Sequence, residues 1–285
     1  MLRTRLWMGA CLIILTVALL VFDQSLGPWY PFLLLFFLVV SALACRELAS
    51  LLGPERLPPT WFCLTAVVLV LLANWPAHLL RPLPFEPLLL VLFTFTAVVL
   101  AAFLLEIARF REPGGTVVRL AMVTWLTAYL GVLPSFVAQL RWLGRDDAEE
   151  WRGVAAVALA LFLPKVCDIG AYFTGKMLGR HRMTPLLSPG KTWEGCAGGM
   201  MASVIFTIAF NRRWPVLGAA DWPAVGFGLT VGLAGVLGDL AESLIKRDCR
   251  QKDASQVLPG FGGVLDVIDS VVFAAPVAYL WLMRW

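Results

Sequence analysis

The chain has 285 residues, of which 60% are hydrophobic and only 15% are charged, and its mean hydropathy is +0.81. This composition is typical of a polytopic membrane protein and excludes a large soluble domain beside the membrane spans. The net charge of +4 is carried by basic residues that lie between apolar runs. It therefore suits anionic lipids or a small anionic partner, and it argues against a nucleic-acid partner.

The apolar runs predict the architecture. A transmembrane helix needs about 20 mostly apolar residues. Nine runs approach that length: 6–22, 29–45, 60–76, 86–105, 117–140, 153–173, 195–210, 224–245 and 264–282. We therefore expect an all-α polytopic membrane protein with about nine transmembrane helices. They form a single integral membrane domain, 1–285, in which 1–150 contributes the N-terminal helices and 151–285 the helices and cytoplasmic loops that carry the chemistry.

The distribution of Lys and Arg predicts the orientation. With the N-terminus in the cytoplasm, 15 of the 23 Lys and Arg residues fall on the cytoplasmic side and 7 on the other, while Lys165 lies within a span. Basic loops face the cytoplasm in most membrane proteins. The chain has only two histidines, and its six cysteines are scattered without a CxxC. A structural zinc site or a disulfide framework is therefore not expected.

Two charged features come early in the chain order. Arg46 and Glu47, which end the second span, are interpreted as an interfacial ion pair. At the cytoplasmic end of the sixth span, Asp168 precedes a segment rich in Gly, Lys and Arg that includes Ser188, Lys191 and Thr192. Such amides, hydroxyls and cations suit a polyphosphate. The segment is not a Walker P-loop, because Pro185 stands where GxxxxGK[ST] needs its first glycine.

The eighth span ends in a stripe of polar residues. Its members are spaced three, four and seven apart and share one face of a helix: Asp239, Glu242, Ser243, Lys246 and Arg250. One interpretation is a site that runs from within the membrane to its cytoplasmic surface. The alternative is a set of ion pairs that closes a helix end, with the basic side chains reaching the headgroups.

The ninth span opens with Gly262 and Gly263 and then carries Asp266 and Asp269. Two carboxylates at this spacing repel each other unless a cation lies between them or one is protonated. We expect Mg²⁺, a hard ion that prefers oxygen ligands, to lie between them. The glycines would let the backbone and its amides approach a phosphate at the helix N-terminus. The alternative for one of the two aspartates is a helix N-cap.

Taken together, these residues form one longer pattern of fixed spacing. They comprise Ser243-Leu-Ile-Lys246-Arg247, four residues, Lys252-Asp253, a linker, and Phe261-Gly-Gly-Val-Leu-Asp266-Val-Ile-Asp269. This segment resembles the signature of the phosphatidate cytidylyltransferases, also called CDP-diacylglycerol synthases, and Asp168 to Gly195 is similar to the same family. Two positions depart from it: Phe261 replaces the usual His and Val267 the usual Arg.

The resemblance implies cytidylyl transfer from CTP to phosphatidic acid, which forms CDP-diacylglycerol and pyrophosphate. It implies metal ligands for Mg²⁺, and possible support for a second cation, at Asp239, Asp266 and Asp269. It implies CTP contacts at Asp168, Ser188, Lys191, Thr192, Gly262 and Gly263. It implies catalytic roles toward the lipid phosphate, the pyrophosphate or the cation for Lys246, Arg247, Lys252 and Asp253. A homodimer in the cell membrane, with its active site facing the cytoplasm, is expected from the same resemblance.

Three other functions remain open at this point. A CTP-dependent lipid kinase acting on a polyprenol-type alcohol would transfer the γ-phosphate and would need a base for the hydroxyl. A secondary transporter could use Asp168, Asp239 and Asp266 as coupling sites, although the inverted repeat expected of one is not evident. An inactive relative would explain Phe261 and Val267.

Overall fold

The computed structural model describes residues 2–80, 86–144, 149–258 and 262–284. Within them the helices are α1 Leu2–Gln24, α2 Pro31–Leu52, α3 Thr60–Leu72, α4 Pro76–Leu79, α5 Pro87–Arg109, α6 Thr116–Thr127, α7 Leu133–Gln139, α8 Trp151–Leu178, α9 Trp193–Arg213, α10 Asp221–Asp248 and α11 Leu265–Leu282. A π-helical segment, Ala128–Val132, joins α6 to α7, and a 3₁₀ turn, Leu140–Trp142, follows α7. Two short antiparallel strands, β1 Arg182–Thr184 and β2 Ser188–Thr192, form a hairpin.

Nine helical segments of the described chain are long and apolar enough to cross a membrane. The third combines α3 with α4, and the fifth runs from α6 through the π-helical segment to the 3₁₀ turn. Each matches one predicted span, so the predicted all-α polytopic fold is confirmed. The hairpin is an addition, because the sequence predicted only a loop between the sixth and seventh spans.

The prediction for Arg250 is wrong. Helix α10 ends at Asp248, and Arg250 adopts a left-handed backbone conformation with φ of +56°. A residue beyond the last turn no longer follows the helical spacing, so Arg250 does not continue the polar face of Asp239, Glu242 and Lys246.

Packing divides the chain into two compact units: an N-terminal unit of residues 1–139 and 253–265, and a C-terminal unit of 140–252 and 266–285. In the N-terminal unit, α3 and α5 share an apolar core that includes Ala66, Val70 and Val98. A polar network lies beside that core. Asn74 donates to Ser135 Oγ over 2.8 Å and accepts from the Gln139 amide over 2.6 Å. Groups buried in an apolar bundle need such partners, so the network ties α7 to the end of α3.

In the C-terminal unit, small residues bring helices close together. A Cβ at Gly170 of α8 would lie 2.6 Å from Ala202 of α9, and one at Gly199 would lie 2.7 Å from the Cys167 carbonyl. A Cβ at Gly238 of α10 would lie 2.5 Å from the Asp269 carbonyl on α11. Helices in membranes pack closely through such residues. Gly238 thus brings the backbones of α10 and α11 together where their acidic residues lie.

Candidate functional site

The C-terminal unit contains a cluster of acidic side chains linked by lysines, which we call the carboxylate cluster. Its members are Asp168 of α8, Asp239 and Glu242 of α10, Asp266 and Asp269 of α11, and the lysines Lys165, Lys191 and Lys246. Five carboxylates share three ammonium groups, so the acids outnumber the cations. Unpaired charge on membrane-spanning helices is costly, and membrane proteins keep it mainly where it functions.

Three of these acids are arranged as metal ligands. Asp239, Glu242 and Asp269 each offer one oxygen, and the three oxygens lie within 4.8 Å of one another. Glu242 and Asp269 are buried, whereas Asp239 is half-buried. Oxygen ligands at this separation suit a hard divalent cation such as Mg²⁺. Two of the three, Asp239 and Asp269, are among the metal ligands predicted from the sequence.

Glu242 is the member of this group that the sequence prediction missed as a ligand. Both of its carboxylate oxygens are buried, and its one cationic partner among the described residues is Lys246. Lys246 Nζ lies 2.5 Å from Oε2 as a salt bridge. The same ammonium donates to Asp266 Oδ1 over 2.6 Å. The helical spacing of Glu242, three residues after Asp239 on the same face, was the signal that could have identified it.

Asp266 and Lys246 form the paired side of the cluster. The sequence prediction placed Asp266 beside Asp269 on the cation and Lys246 on a substrate phosphate. In the structure Asp266 bonds to Lys246 and does not belong to the group of three converging oxygens. The roles of both residues toward substrates stay predictions.

Lys165 is a further residue that sequence reasoning did not select. Its ammonium lies 3.2 Å from Asp269 Oδ1 and 3.5 Å from Asp168 Oδ2, and it donates to Ser270 Oγ over 2.7 Å. The Ser270 hydroxyl in turn donates to Asp168 Oδ2 over 3.1 Å. Lys165 thereby compensates two acids at once and holds Asp168 next to the start of α11.

The β1–β2 hairpin holds three of the six residues predicted to contact CTP. Lys191 of β2 makes a 2.7 Å salt bridge with Asp239. Thr192 is buried and caps α9, because its Oγ1 accepts the Gly195 amide over 3.1 Å. Ser188 begins β2, is half-buried and pairs with Thr184. The structure therefore brings Lys191 to the carboxylate cluster and gives Thr192 a structural role.

The remaining basic residues predicted for the site are exposed. Arg247 donates to the carbonyls of Leu187 and Gln251 over 3.4 and 3.3 Å, which connects the end of α10 to the hairpin. Lys252 is exposed and is the last residue of the 140–252 segment of the C-terminal unit. Val267 is half-buried in the first turn of α11, and Phe261 lies outside the described residues.

Gly262, Gly263 and the exposed Asp253 belong to the N-terminal unit. The Gly262 amide donates to the Leu258 carbonyl over 3.0 Å, and φ at Gly262 is +98°, a value that favours glycine. A Cβ at Gly263 would lie 2.5 Å from Glu47 Oε2. Gly263 therefore makes room for a carboxylate of the protein itself, and the predicted contact of both glycines with a phosphate stays a prediction.

Glu47 is the carboxylate in question, and its interpretation as an interfacial partner of Arg46 is wrong. It is buried and accepts the amides of Val264 and Leu265 over 3.0 and 2.8 Å. It also accepts the Ser255 hydroxyl over 2.7 Å. A carboxylate is a strong acceptor for the unpaired amides of a helix N-terminus. Glu47 thus caps the first turn of α11 from α2.

The donor set of the carboxylate cluster fits a divalent cation. Three converging oxygens, one from each of three carboxylates of which two are buried, form an environment that a cation would stabilise. Because the cluster has more acids than lysines, its net charge is negative, which also favours a bound cation. The residues that would hold the ion are Asp239, Glu242 and Asp269.

Comparison with known proteins assigns the chain to a family. A family model described as the Cytidylyltransferase family matches residues 3–284. The chain belongs to the cytidylyltransferase family. It is 31% identical over 282 residues to the uncharacterized protein YnbB of Escherichia coli (strain K12), a match that covers 99% of this chain and 86% of that protein.

Two phosphatidate cytidylyltransferases are also similar. The protein of Synechocystis sp. is 38% identical over 181 residues, covering 54% of this chain and 59% of that one. The protein of Haemophilus influenzae is 36% identical over 156 residues, covering 53% and 54%. The chain thus matches little more than half the length of these two relatives. Membership of the cytidylyltransferase family identifies this membrane protein as a nucleotidyltransferase and implies CTP as its nucleotide.

Proposed function

We propose that this cytidylyltransferase-family protein transfers the cytidylyl group of CTP to phosphatidic acid, forming CDP-diacylglycerol and pyrophosphate. The observation that carries the proposal is the convergence of Asp239, Glu242 and Asp269 in one unit with the lysines of the cluster. The names of two relatives support phosphatidic acid as the acceptor.

The reaction needs little from the protein in the way of proton transfer. A phosphomonoester such as phosphatidic acid is already ionised near neutral pH, since its second ionisation occurs near pH 6. One of its oxygens bonds to the α-phosphorus of CTP, and the bond from that phosphorus to the bridging oxygen of the β-phosphate breaks. Pyrophosphate leaves with the electron pair. Two histidines in the whole chain are therefore no obstacle.

Positioning and charge neutralisation then dominate catalysis. In the proposal Asp239, Glu242 and Asp269 hold a Mg²⁺ ion, which when bound neutralises phosphate charge. Lys191 and Lys246, which pair with Asp239 and Glu242, would contact phosphate oxygens. Lys165 holds Asp269 and Asp168 in position.

The distribution of basic residues supports a cytoplasmic position for these residues, where CTP is found. We also propose that the protein resides in the cell membrane as a homodimer and takes its lipid with the acyl chains in the bilayer. The distribution of charge, the apolar spans and the family resemblance support these points.

Product analysis tests the reaction. Purified full-length protein is incubated with phosphatidic acid, Mg²⁺ and CTP labelled on either the α- or the γ-phosphate. Label from the α-phosphate should enter the lipid, and label from the γ-phosphate should leave as pyrophosphate. Incorporation of γ-label into a lipid alcohol would instead establish a kinase. Solute uptake by proteoliposomes without CTP turnover would establish a transporter.

A further inference from the structure

The N-terminal unit contains a cavity of about 690 Å³ that the proposed reaction does not use. It lies at the C-terminal ends of α2 and α5, beside the 53–59 connection and the first turns of α3 and α6. Cavities of roughly 300–1,000 Å³ are typical of small-ligand sites. Both connections lie on the side where the distribution of Lys and Arg places the cytoplasm, so the cavity opens near the headgroup layer.

Three arginines line this cavity, which we call the arginine cavity: Arg46, Arg109 and Arg119. Arg119 is held in place by the buried carboxylate of Glu106, to which its Nε and Nη2 donate over 2.9 and 2.6 Å. Its Nη1 donates none of the hydrogen bonds found among the described residues. Nε and Nη2 thus fix the orientation of the guanidinium, while Nη1 can donate to a ligand.

Arg46 and Arg109 differ from Arg119 in having no carboxylate partner. Both are exposed, and neither forms an ion pair among the described residues. The only other acid that lines the cavity, within the described chain, is Glu55. A basic residue at a helix C-terminus is favourable by itself. That preference accounts for Arg109 at the end of α5, but not for the convergence of three arginines on one cavity.

We propose that the arginine cavity binds the phosphate of an anionic phospholipid of the cytoplasmic leaflet. Guanidinium groups are suited to phosphate because they donate several hydrogen bonds in a fixed plane. The cavity wall also includes the buried, apolar residues Leu57 and Pro58, against which the glycerol and upper acyl region of a lipid would pack. A soluble phosphate compound would make the same contacts with the arginines, but it has no apolar part to pack against Leu57 and Pro58.

The test uses a lipid that cannot enter the proposed reaction. Phosphatidylglycerol is an anionic phosphodiester and has no terminal phosphate for cytidylyl transfer, so binding and turnover are separable. Full-length protein in lipid nanodiscs is titrated with dioleoyl phosphatidylglycerol, and native mass spectrometry counts the bound lipid. Zwitterionic phosphatidylcholine serves as the comparison lipid, and inorganic pyrophosphate is added as the soluble competitor.

Wild type should retain phosphatidylglycerol in preference to phosphatidylcholine. Arg46→Gln and Arg109→Gln should each weaken this binding about tenfold, since each removes a charge-assisted contact. Ser50→Trp, which places a large side chain at an exposed position of the cavity wall, should weaken it as much without removing charge. Arg111→Gln is the matched control, because Arg111 is exposed two residues from Arg109 but does not line the cavity.

Three results would overturn the proposal. Unchanged binding in both Arg46→Gln/Arg109→Gln and Ser50→Trp would show that the lipid binds elsewhere. An equal loss in Arg111→Gln would indicate general surface electrostatics. Displacement of the lipid by pyrophosphate at equal concentration would assign the cavity to a soluble phosphate and exclude the lipid.

Discussion

The buried carboxylates of the two units have opposite environments. In the N-terminal unit each has its own partners: Glu47 accepts two amides and a hydroxyl, and Glu106 accepts a bidentate contact from Arg119. In the C-terminal unit five carboxylates share three lysines, and Glu242 shares its one cationic partner among the described residues, Lys246, with Asp266. The first kind of carboxylate has its partners within the fold, whereas the second kind has fewer cations than acids among the described residues.

Under the proposed function, this difference distinguishes structural acids from those of the reaction site. A buried acid with dedicated donors contributes to folding, and its removal costs stability. A buried acid in a group with too few cations destabilises the fold until a ligand neutralises it, which is a pattern typical of functional sites. The two groups should therefore respond to isosteric substitution in opposite ways.

The largest effect is expected for Asp269→Asn. The substitution removes the negative charge from one of the three converging carboxylates. A bound metal ion contributes several kcal/mol to the stabilisation of charge in the transition state. At about 1.4 kcal/mol per tenfold, the rate of cytidylyl transfer should fall at least about 10³-fold while the thermal midpoint stays at or above that of wild type. The control is Asp221→Asn, which removes an exposed carboxylate at the other end of α10 and should leave the rate within about twofold. Equal losses in both variants would contradict the assignment.

Glu242→Gln should weaken divalent-cation binding. Loss of a group that ligates or orients a metal typically lowers affinity about 10- to 100-fold. Electron paramagnetic resonance of Mn²⁺ titrated into purified protein measures the affinity without turnover. Asp266→Asn provides the comparison, since Asp266 is paired with Lys246. Unchanged affinity in Glu242→Gln together with a large loss in Asp266→Asn would restore the ligand pair predicted from the sequence.

Glu47→Gln should affect stability and leave the cation site intact. The glutamine side chain keeps one acceptor oxygen, but its NH₂ group replaces the other. That NH₂ group would face a backbone N–H that needs an acceptor. Hydrogen bonds to charged groups contribute about 1.5–3 kcal/mol, so the free energy of unfolding should fall by about 2 kcal/mol. Thermal denaturation in detergent measures the change. A loss of Mn²⁺ affinity as large as that of Glu242→Gln would show that Glu47 does not act through the fold alone.

The smallest effect is expected for Glu106→Gln. Arg119 is 30% exposed on its side chain, so solvent compensates part of its charge when the carboxylate is lost. The free energy of unfolding should fall by about 1 kcal/mol, between the values for an exposed and a fully buried pair. Glu55→Gln, at an exposed position in the same cavity, should cause no measurable change. A loss above that of Glu47→Gln would indicate that the Arg119 pair is the stronger structural contact.

The spans could be predicted because the bilayer dictates them: about 20 apolar residues have few alternatives to a helix. The hairpin at 182–192 could not. Its strands are only three and five residues long, they do not alternate in polarity, and Pro189 and Gly190 indicate a turn. The end of α10 was also misjudged, because polar spacing continues to Arg250 after the helix has ended.

The candidate site was predicted where its contacts are local. Asp239 and Asp269 were recognised from helical spacing and from the family resemblance. Lys165 was not, because its partner Asp269 lies 104 residues further along the chain. The capping of α11 by Glu47 joins residues 217 positions apart, and no local pattern announces such a contact. Apart from Glu242, whose spacing is local, sequence reasoning missed long-range partners that decide which acid has its own donors.

The most direct measurement compares wild type and Asp269→Asn in one assay of label transfer. Both proteins, purified at full length and matched for thermal stability, receive phosphatidic acid, Mg²⁺ and CTP labelled on the α-phosphate. Labelled CDP-diacylglycerol should form with wild type and fall to background with the variant. Unlabelled lipid from folded wild type, or equal labelling by the two proteins, would contradict a cytidylyl-transfer site in the carboxylate cluster.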